Sequence, residues 1–322
     1  AGAEVYGSDP DPAAMVAAVE RGAIEAAELP DPPDFDVIVV AAPVGALAET
    51  IAGIAARHPE AIVTDVGSTK ASVATGAPNY IGGHPLAGAE VAGIEHARAD
   101  LFDGATWFLT PHASSDGVKL DRLHRLIAQI GAKPVVIDAG EHDRLMAAFS
   151  HLPHVVANAL ALGGLAALGE QRQPVVGPSF RDATRVAGAN PELWAGIYAA
   201  NRDALAADLD RLIERLTEAR GLVAAGDPAA LADWQQAAAD AREALADHGR
   251  AGGPVEEIRV IVPNRPGVVA DLTLTLARAG INIQDLSLQP AADNRSGEVA
   301  LWVPSEDAGQ ARALVNEVVS SE

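Results

Sequence analysis

The 322-residue chain is long enough for two or three domains, and 49% of its residues are hydrophobic. Its 44 acidic residues outnumber 23 basic ones, and the net charge of −21 disfavours nucleic acid and anionic membranes as partners because both would be repelled. The absence of cysteine excludes disulfides, thiolate nucleophiles and zinc-thiolate sites. No secretory signal pattern follows Ala1, and we expect a cytoplasmic protein.

Strand and helix patterns alternate along the N-terminal part of the chain. The predicted elements are a short strand at Glu4–Tyr6, a helix at Ala13–Arg21, a strand at Phe35–Ala42 and a strand at Ala61–Val66. The run FDVIVVAA is almost continuously apolar, which is typical of a parallel strand buried on both faces. The alternation predicts an α/β fold with a parallel sheet, in which ligands bind at the carboxyl ends of the strands.

Four candidate residues, Asp9, Pro43, Ser68 and His84, lie at or just beyond predicted strand ends. In a dinucleotide-binding fold, the acid that hydrogen-bonds the ribose hydroxyls follows the second strand, and Asp9 has that place. The glycine-rich phosphate loop lies about 20 residues before this acid, which here is upstream of Ala1. We therefore expect a Rossmann-like parallel sheet whose first strand and glycine-rich loop are missing from this sequence. The alternative is that Asp9 only forms the turn in SDPD.

The motif GGHPLAG surrounds His84 with glycines and a proline. Glycine permits close backbone approach and proline fixes its own φ, so the motif predicts a loop that presents the imidazole at a set angle. An imidazole with an unperturbed pKa of about 6.5 suits a general base at neutral pH. In DVGSTK, Ser68 either caps the next helix or orients His84. A purely structural role is the alternative for this histidine.

The middle of the chain changes from mixed to helical patterns. Strands are predicted at Thr106–Thr110 and Pro134–Ile137, with a helix between them, and only helical patterns follow from about Asp143 to Gly249. The apolar run Leu152–Leu168 falls short of the roughly 20 residues of a membrane span and contains polar side chains, so we expect a buried helix.

Two polar motifs occur in this all-α region. SHLPH, at Ser150–His154, has two histidines but no carboxylate or third ligand beside them, and we expect no metal site. In FRDATRVAGANPELW, Arg181 and Arg185 lie on one predicted helical face. They form either a clamp for a carboxylate or ion pairs on the surface.

A Gly- and Pro-rich segment, Arg250–Pro254, predicts a linker before a small α+β module. The predicted order is β-α-β-β-α, with elements at Ile258–Val262, Val268–Ala279, Ile281–Leu288 and Glu298–Val303 and a last helix. We therefore divide the chain into residues 1–142, 143–250 and 255–322.

Seven motifs, in this order, resemble the prephenate dehydrogenase family of tyrosine biosynthesis in the form that carries a C-terminal ACT domain. They are VYGSD, AAPVGAL, TDVGSTK, GGHPLAGAE, LFDGATWFLTP, SHLPH and FRDATRVAGANPELW. The tail VIVPNRPGVVADLTLTLARAGINIQDLSL is similar to an ACT regulatory module. The resemblance implies a Rossmann-like dinucleotide-binding domain, an all-α dimerisation domain and an α+β ACT module.

The resemblance also implies a reaction, the NAD-dependent oxidative decarboxylation of prephenate to 4-hydroxyphenylpyruvate. Hydride leaves C4 for NAD+ while the C1 carboxylate leaves as CO2. By this resemblance His84 is the base that accepts the C4 hydroxyl proton, and Ser68 hydrogen-bonds near the hydroxyl and the imidazole. Arg185 matches the arginine that grips a substrate carboxylate, and His154 and Ser150 match residues of the substrate pocket.

The expected cofactor is NAD, with Asp9, Pro43 and Ser68 as its candidate binding residues. A carboxylate at Asp9 would accept hydrogen bonds from ribose hydroxyls and repel a 2′-phosphate, so NAD is expected in preference to NADP. No metal cofactor is expected.

The resemblance further implies a homodimer formed through the helical domain and an ACT module that binds an amino-acid effector such as tyrosine. The candidate effector residues are Asn264, Gly267 and Asn282, since a helix N-terminus after Gly267 would attract a carboxylate. A plain turn, with dimerisation as its only role, is the alternative. Two other functions remain open for the chain, an arogenate dehydrogenase and a non-catalytic ACT-type amino-acid sensor.

Overall fold

The computed structural model describes residues 3–25, 34–73, 75–88, 93–168, 176–248, 255–291 and 295–320. The chain divides into two compact units, Ala1–Arg215 and Leu216–Glu322. The strands and helices that begin in the first unit are α1 (Pro12–Glu20), β1 (Val37–Val40), α2 (Val44–Arg57), β2 (Ile62–Asp65), β3 (Gly82–Pro85), β4 (Thr106–Thr110), α3 (Gly117–Gln129), β5 (Lys133–Val136), α4 (Ala139–Met146), α5 (Leu152–Leu168), α6 (Pro178–Thr184), α7 (Pro191–Ala200) and α8 (Arg202–Ala225).

The strands of the first unit form a two-stranded sheet, β1-β2, and a three-stranded sheet, β3-β4-β5. β1 pairs in parallel with β2, while β4 pairs with β3 antiparallel and with β5 in parallel. A parallel bridge between Val63 and Tyr80 joins β2 to the residues that lead into β3. The predicted Rossmann-like α/β domain is therefore confirmed, with β3 as its antiparallel element.

Helices cover this sheet on both faces because neighbouring strand residues point in opposite directions. In β2, Val63 packs in one core with Leu47 and Ile51 of α2, while Ile62 packs in another with residues of α3. All four positions of β2 are buried. Burying each such aliphatic side chain contributes about 1.5–3 kcal/mol, so these two cores hold the strand ends in fixed positions. In β1, by contrast with β2, Val40 is the one fully buried residue and Val39 is 52% exposed, so the prediction that the run Phe35–Ala42 is buried on both faces is wrong.

Two predicted elements differ in the structure. The segment Glu4–Tyr6 is not a strand, because the backbone oxygen of Val5 accepts a hydrogen bond from Glu25 N (2.8 Å) rather than joining a ladder. The helix α5 is not buried as expected: Ala157 is its one fully buried residue, and Leu162 is 71% exposed. Several apolar side chains of α5, those of Leu160, Leu162 and Leu165, are therefore exposed in the described part of the chain.

The helical run Ala139–Leu168 has the length and apolar composition of a membrane span, with a mean hydropathy of 1.4 over its most apolar window. The core helix of a soluble protein meets the same criterion, so length and composition alone are weak evidence for a span. The helices of the described residues between Asp143 and His248 agree with the prediction that this part of the chain contains helices and no strands.

The second unit contains α9 (Pro228–His248), β6 (Val255–Pro263), α10 (Val268–Arg278), β7 (Asp285–Pro290), β8 (Ser296–Pro304) and α11 (Ala308–Ser320). Its three strands form an antiparallel sheet in the order β6-β8-β7. Leu301 of β8 packs in one core with Leu272 of α10 and Val315 of α11. The β-α-β-β-α order is confirmed, whereas the predicted linker at 250–254 lies outside the described residues.

Candidate functional site

His84 lies inside strand β3, opposite Phe108 of β4, and it is buried. The prediction that a loop presents this histidine is therefore wrong. A Cβ at Gly82 would overlap Thr110 Oγ1, and a Cβ at Gly83 would overlap the backbone oxygen of Asp65. The two glycines therefore let β3 lie close to its neighbours, and the pairing of the strand sets the direction of the imidazole.

Three buried side chains, those of His84, His142 and Asp143, form a chain of hydrogen bonds that we call the relay. His84 Nδ1 lies 2.8 Å from His142 Nε2, and His142 Nδ1 lies 2.8 Å from Asp143 Oδ1. The ring of His142 also makes an edge-on contact with Phe108, at a centroid distance of 5.3 Å. His142 and Asp143 belong to α4, which begins directly after β5 at its cap Asp138.

The hydrogen-bond pattern assigns one tautomer to each neutral ring. A carboxylate only accepts hydrogen bonds, so His142 Nδ1–H donates to Asp143 and His142 Nε2 is left as an acceptor. His84 Nδ1–H then donates to that nitrogen. No described residue hydrogen-bonds to His84 Nε2, so its lone pair can accept a proton from a bound ligand, which is the geometry required of a general base.

Asp143 is itself held by two backbone amides. Lys70 N donates to its Oδ1 and Ala71 N donates to its Oδ2, each at 2.8 Å. The backbone oxygen of Asp143 accepts from Asn201 Nδ2 at 2.7 Å, and the same amide nitrogen lies 3.1 Å from His151 Nδ1. The carboxylate of Asp143 is thus fixed by the loop after β2, and its backbone is fixed by Asn201 in the helical region.

Burial, together with smaller effects of the nearby His142, Lys70 and His151, lowers the pKa of His84 to about 3. Burial is also the main cause that lowers the pKa of His151, to about 4. Since both pKa values lie far below neutrality, the imidazoles of His84 and His151 are uncharged at physiological pH. The unperturbed pKa that the sequence argument used does not apply to the buried ring of His84.

A π-helical turn at Ala147–His151 connects α4 to α5. It contains the half-buried Ser150 and the buried His151, and such turns are frequent at functional sites. His154, one turn further along, stacks on the ring of Trp194 at a centroid distance of 3.5 Å. The two predicted pocket residues, Ser150 and His154, therefore lie on the helical segment that follows His142 and Asp143.

The two candidate arginines belong to different elements, since Arg181 lies within α6 and Arg185 follows its last residue at the start of a short 3-10 turn. Both side chains are exposed, and Arg181 Nη2 donates to the backbone oxygen of Val176 at 2.9 Å. The turn that starts at Arg185 packs on α5, the helix that carries His154.

Ser68 is half-buried just after β2, and among the described residues its side chain makes no hydrogen bond to His84. Pro43 follows β1 and lies at the start of α2. Asp9 is exposed before α1, where its Oδ1 accepts from Asp11 N (2.8 Å). In the described part of the chain, none of these three side chains hydrogen-bonds to His84, His142 or Asp143. Pro43 and Ser68 follow the parallel strands β1 and β2, where a nucleotide-binding fold holds its ligand, whereas Asp9 follows no strand.

The second unit has its own pocket of about 220 Å³ between the β6–α10 turn and the neighbouring strands. Asn264 and Gly267 line it, while Asn282 does not. Gly267 has a φ of +92°, a left-handed conformation that favours glycine at this helix start.

Sequence reasoning missed His142 and Asp143. They follow β5 in the segment EHD, so the strand-end rule that selected Ser68 would also have selected them. Their partners in the relay are distant in sequence, which is why no local motif indicated the connection.

A Rossmann-like sheet with a buried imidazole relay next to it, followed by a helical region, defines the class of nucleotide-binding oxidoreductases. Residues 1–136 match the family described as prephenate dehydrogenase, nucleotide-binding domain, and residues 138–237 match its dimerization domain. Residues 257–321 match the ACT domain.

Curated relatives and solved structures agree with these matches. A prephenate dehydrogenase of Bacillus subtilis is 30% identical over 285 residues, covering 84% of this chain and 76% of the relative. A cyclohexadienyl dehydrogenase of Zymomonas mobilis is 35% identical over 67% of this chain and 77% of its own length. The chain belongs to the prephenate dehydrogenase family, and the resemblance stated from the motifs is confirmed.

Two solved structures share the fold. The prephenate dehydrogenase of A. aeolicus, in complex with hydroxyphenyl propionate and NAD+, has a TM-score of 0.67 and 25% identity, covering 75% of this chain and 89% of its own. The arogenate dehydrogenase of Synechocystis has a TM-score of 0.66 and 29% identity, covering 76% of this chain and 92% of its own. Relatives with these two different substrate names are thus about equally similar in structure.

Proposed function

We propose that the protein catalyses the NAD-dependent oxidative decarboxylation of prephenate to 4-hydroxyphenylpyruvate. The observation that carries the proposal is the relay from Asp143 through His142 to His84, with His84 Nε2 free to accept a proton. A dehydrogenase that oxidises a hydroxyl carbon needs such a base for the hydroxyl proton.

In this proposal His84 Nε2 accepts the proton of the C4 hydroxyl as the C–H bond breaks. The imidazolium that forms is stabilised because its Nδ1–H donates to His142, which in turn donates to the carboxylate of Asp143. The two substrate carboxylates bring further negative charge into the buried site, which favours the protonated ring. Loss of the C1 carboxylate as CO2 makes the ring aromatic, so the forward direction is favoured.

The substrate carboxylates require cationic and polar partners, since the chain has a net charge of −21. Arg185 is our candidate for binding one carboxylate bidentately, next to the helix that carries His154. The stacked ring of His154 and the hydroxyl of Ser150 are candidates for polar contacts with the substrate. Ser68 is proposed to bind near the hydroxyl once substrate is present.

The three candidate cofactor residues fit a dinucleotide in part. Among the residues that the structure describes, Asp9 uses only Oδ1 in a hydrogen bond, so Oδ2 can accept from ribose hydroxyls. Pro43 and Ser68 follow adjacent parallel strands, where the nicotinamide end would approach the substrate. NAD+, when bound, supplies the acceptor for the C4 hydride.

Arogenate is the competing substrate, since an arogenate dehydrogenase is 29% identical to this chain. Arogenate carries an ammonium group where prephenate has a keto group, so an acidic side chain near it would favour arogenate. A non-catalytic amino-acid sensor is the other alternative, and it is disfavoured because a sensor has no need of an ordered relay.

We also propose that the protein is a cytoplasmic homodimer in which the exposed apolar side chains of α5 contribute to the subunit interface. The pocket at Asn264 and Gly267 is our candidate site for an amino-acid effector such as tyrosine. Calorimetry with tyrosine and phenylalanine tests this site, and the absence of heat at millimolar ligand would leave dimerisation as the role of the module.

The experiment that tests the reaction follows NADH formation by the native gene product with prephenate and with arogenate in parallel. The same assay is made on His84→Asn, with His96→Asn, a half-exposed histidine on a surface turn, as the matched control. The proposal expects a prephenate-dependent rate that falls with His84→Asn and persists with His96→Asn. No NADH from either substrate would overturn the dehydrogenase assignment, and a preference for arogenate would replace the substrate.

A further inference from the structure

A buried ion pair lies directly behind the strand that carries His84. Lys70 Nζ contacts Asp65 Oδ1, and both side chains are 0% exposed. Isolated charges are costly inside a protein, so each of these groups needs the other and further hydrogen bonds. Asp65 is the last residue of β2 and Lys70 closes the loop that follows it.

The ion pair holds both backbone polar groups of Gly83. Lys70 Nζ donates to Gly83 O at 2.7 Å, and Gly83 N donates to Asp65 Oδ2 at 3.2 Å. Gly83 precedes His84, so its amide and carbonyl fix the position from which the imidazole extends. The remaining hydrogen bonds of the Asp65 carboxylate come from Tyr80 OH and Gly67 N, each at 2.7 Å.

Lys70 also contacts the other arm of the relay. Its backbone N donates to Asp143 Oδ1 at 2.8 Å, and that carboxylate orients His142. One residue therefore fixes His84 through its ammonium group and His142 through its backbone amide. The separation of the two rings depends on both connections.

We propose that Asp65 and Lys70 are positioning residues that hold His84 at hydrogen-bonding distance from His142. The catalytic consequence rests on the proposed function, whereas the geometric consequence does not. A buried ion pair adds little net stability compared with a well-packed apolar pair, so its geometric role is the reason to place one here.

The test compares four forms of the native gene product, the wild type, Lys70→Met, Asp65→Asn and the double variant Asp65→Asn/Lys70→Met. Either single change leaves a buried polar group without its partner and lowers thermal stability, whereas the double variant removes both charges together. Lys133→Met, on an exposed lysine at the start of β5, is the control. Melting temperatures show which forms are folded at the assay temperature.

The first measurement is the nitrogen-15 NMR spectrum of the histidine rings, with the His84 signal assigned by His84→Asn. The wild type is expected to show a hydrogen-bonded Nδ1–H on His84, and the folded double variant is expected to lose or shift it while Lys133→Met keeps it. This readout requires no turnover, so it tests the geometry even if the proposed reaction is wrong. An unchanged His84 signal in the folded double variant would overturn the proposal.

The second measurement separates kcat from KM for prephenate. A small displacement of a catalytic group costs about 100-fold in rate, so kcat of the double variant is expected to fall by roughly that factor with KM changed by about twofold or less. A double variant that is folded and retains the wild-type kcat would contradict the positioning role. A wild type without activity, together with the NMR change, would reject the reaction and retain the geometry.

Discussion

His84 Nδ1 lies 2.8 Å from His142 Nε2, although 58 positions separate the two residues in the sequence. Strand β3 supplies one ring and α4 supplies the other, and the packing of α4 on β4 brings them together. The acceptor state of His142 depends on its own bond to Asp143, so the proposed base function of His84 depends on a residue that His84 does not contact.

Asp143→Asn is expected to lower kcat by about 100- to 10,000-fold, because an amide can donate to His142 and favour the tautomer that cannot accept from His84. The amide would also face the two backbone donors Lys70 N and Ala71 N. Steady-state kinetics with NADH detection measure the effect. Asp121→Asn, on an exposed ion pair of α3, serves as the control, and equal rates for the two variants would contradict the relay.

The acidic limb of kcat/KM is expected well below the ordinary histidine range. Burial lowers the pKa of His84 to about 3, so the neutral base persists as the pH falls. The profile should remain flat between about pH 7 and about pH 5, where an unperturbed imidazole would already be protonated. A limb near the unperturbed value would show that His84 is solvated or is not the base.

Stability is expected to decrease as the pH is lowered through the weakly acidic range. The folded pKa values of His84 and His151 are about 3 and about 4, against 6.5 in the unfolded chain, so the unfolded state binds more protons between these values. The stabilisation is fully present above about pH 6.5 and is lost toward the folded values, at up to about 1.4 kcal/mol per pH unit for each ring.

Denaturant unfolding at a series of pH values tests this slope. The double variant His84→Asn/His151→Asn should have a shallower dependence of unfolding free energy on pH. A slope equal to that of the wild type would assign the acid sensitivity to other groups.

Gly83→Ala is expected to destabilise the fold by about 1–3 kcal/mol and to reduce kcat, because the new Cβ would overlap the backbone oxygen of Asp65. The matched control lies in the same motif, since a Cβ at Gly88 would have no heavy atom of the described residues within 4 Å. Thermal melting and kinetics of Gly83→Ala and Gly88→Ala measure the contrast. Similar behaviour of the two variants would show that close strand packing does not constrain this position.

Asp9→Ser is expected to relax the preference for NAD over NADP, because the substitution removes a carboxylate that accepts from ribose and repels a 2′-phosphate. The ratio of kcat/KM values with the two cofactors is the measurement. Asp11→Ser, two residues further on at the α1 cap, controls for the loss of one charge. An unchanged ratio in Asp9→Ser would remove this residue from the cofactor site.

Much of the architecture could be predicted from the sequence because it depends on local patterns. The apolar run in Phe35–Ala42 and the segment Thr106–Thr110 predicted β1 and β4, and the helical patterns from about Asp143 to Gly249 predicted the helical region. The N-terminal segment Glu4–Tyr6 has a strand-like composition, but its backbone bonds to a loop instead. Composition indicates the propensity of a segment, whereas the available partner decides its state.

The sequence by itself determined most of the order of the elements and the family, and it selected His84 as a candidate base, because hydrophobic period and ordered motifs are properties of neighbouring residues. Only the tertiary structure decided that His84 lies in a buried strand, that His142 and Asp143 complete its relay, and that Asp65 and Lys70 hold it from behind. Hydrogen bonds and burial act through space between distant segments, and they set the tautomer and the pKa of His84.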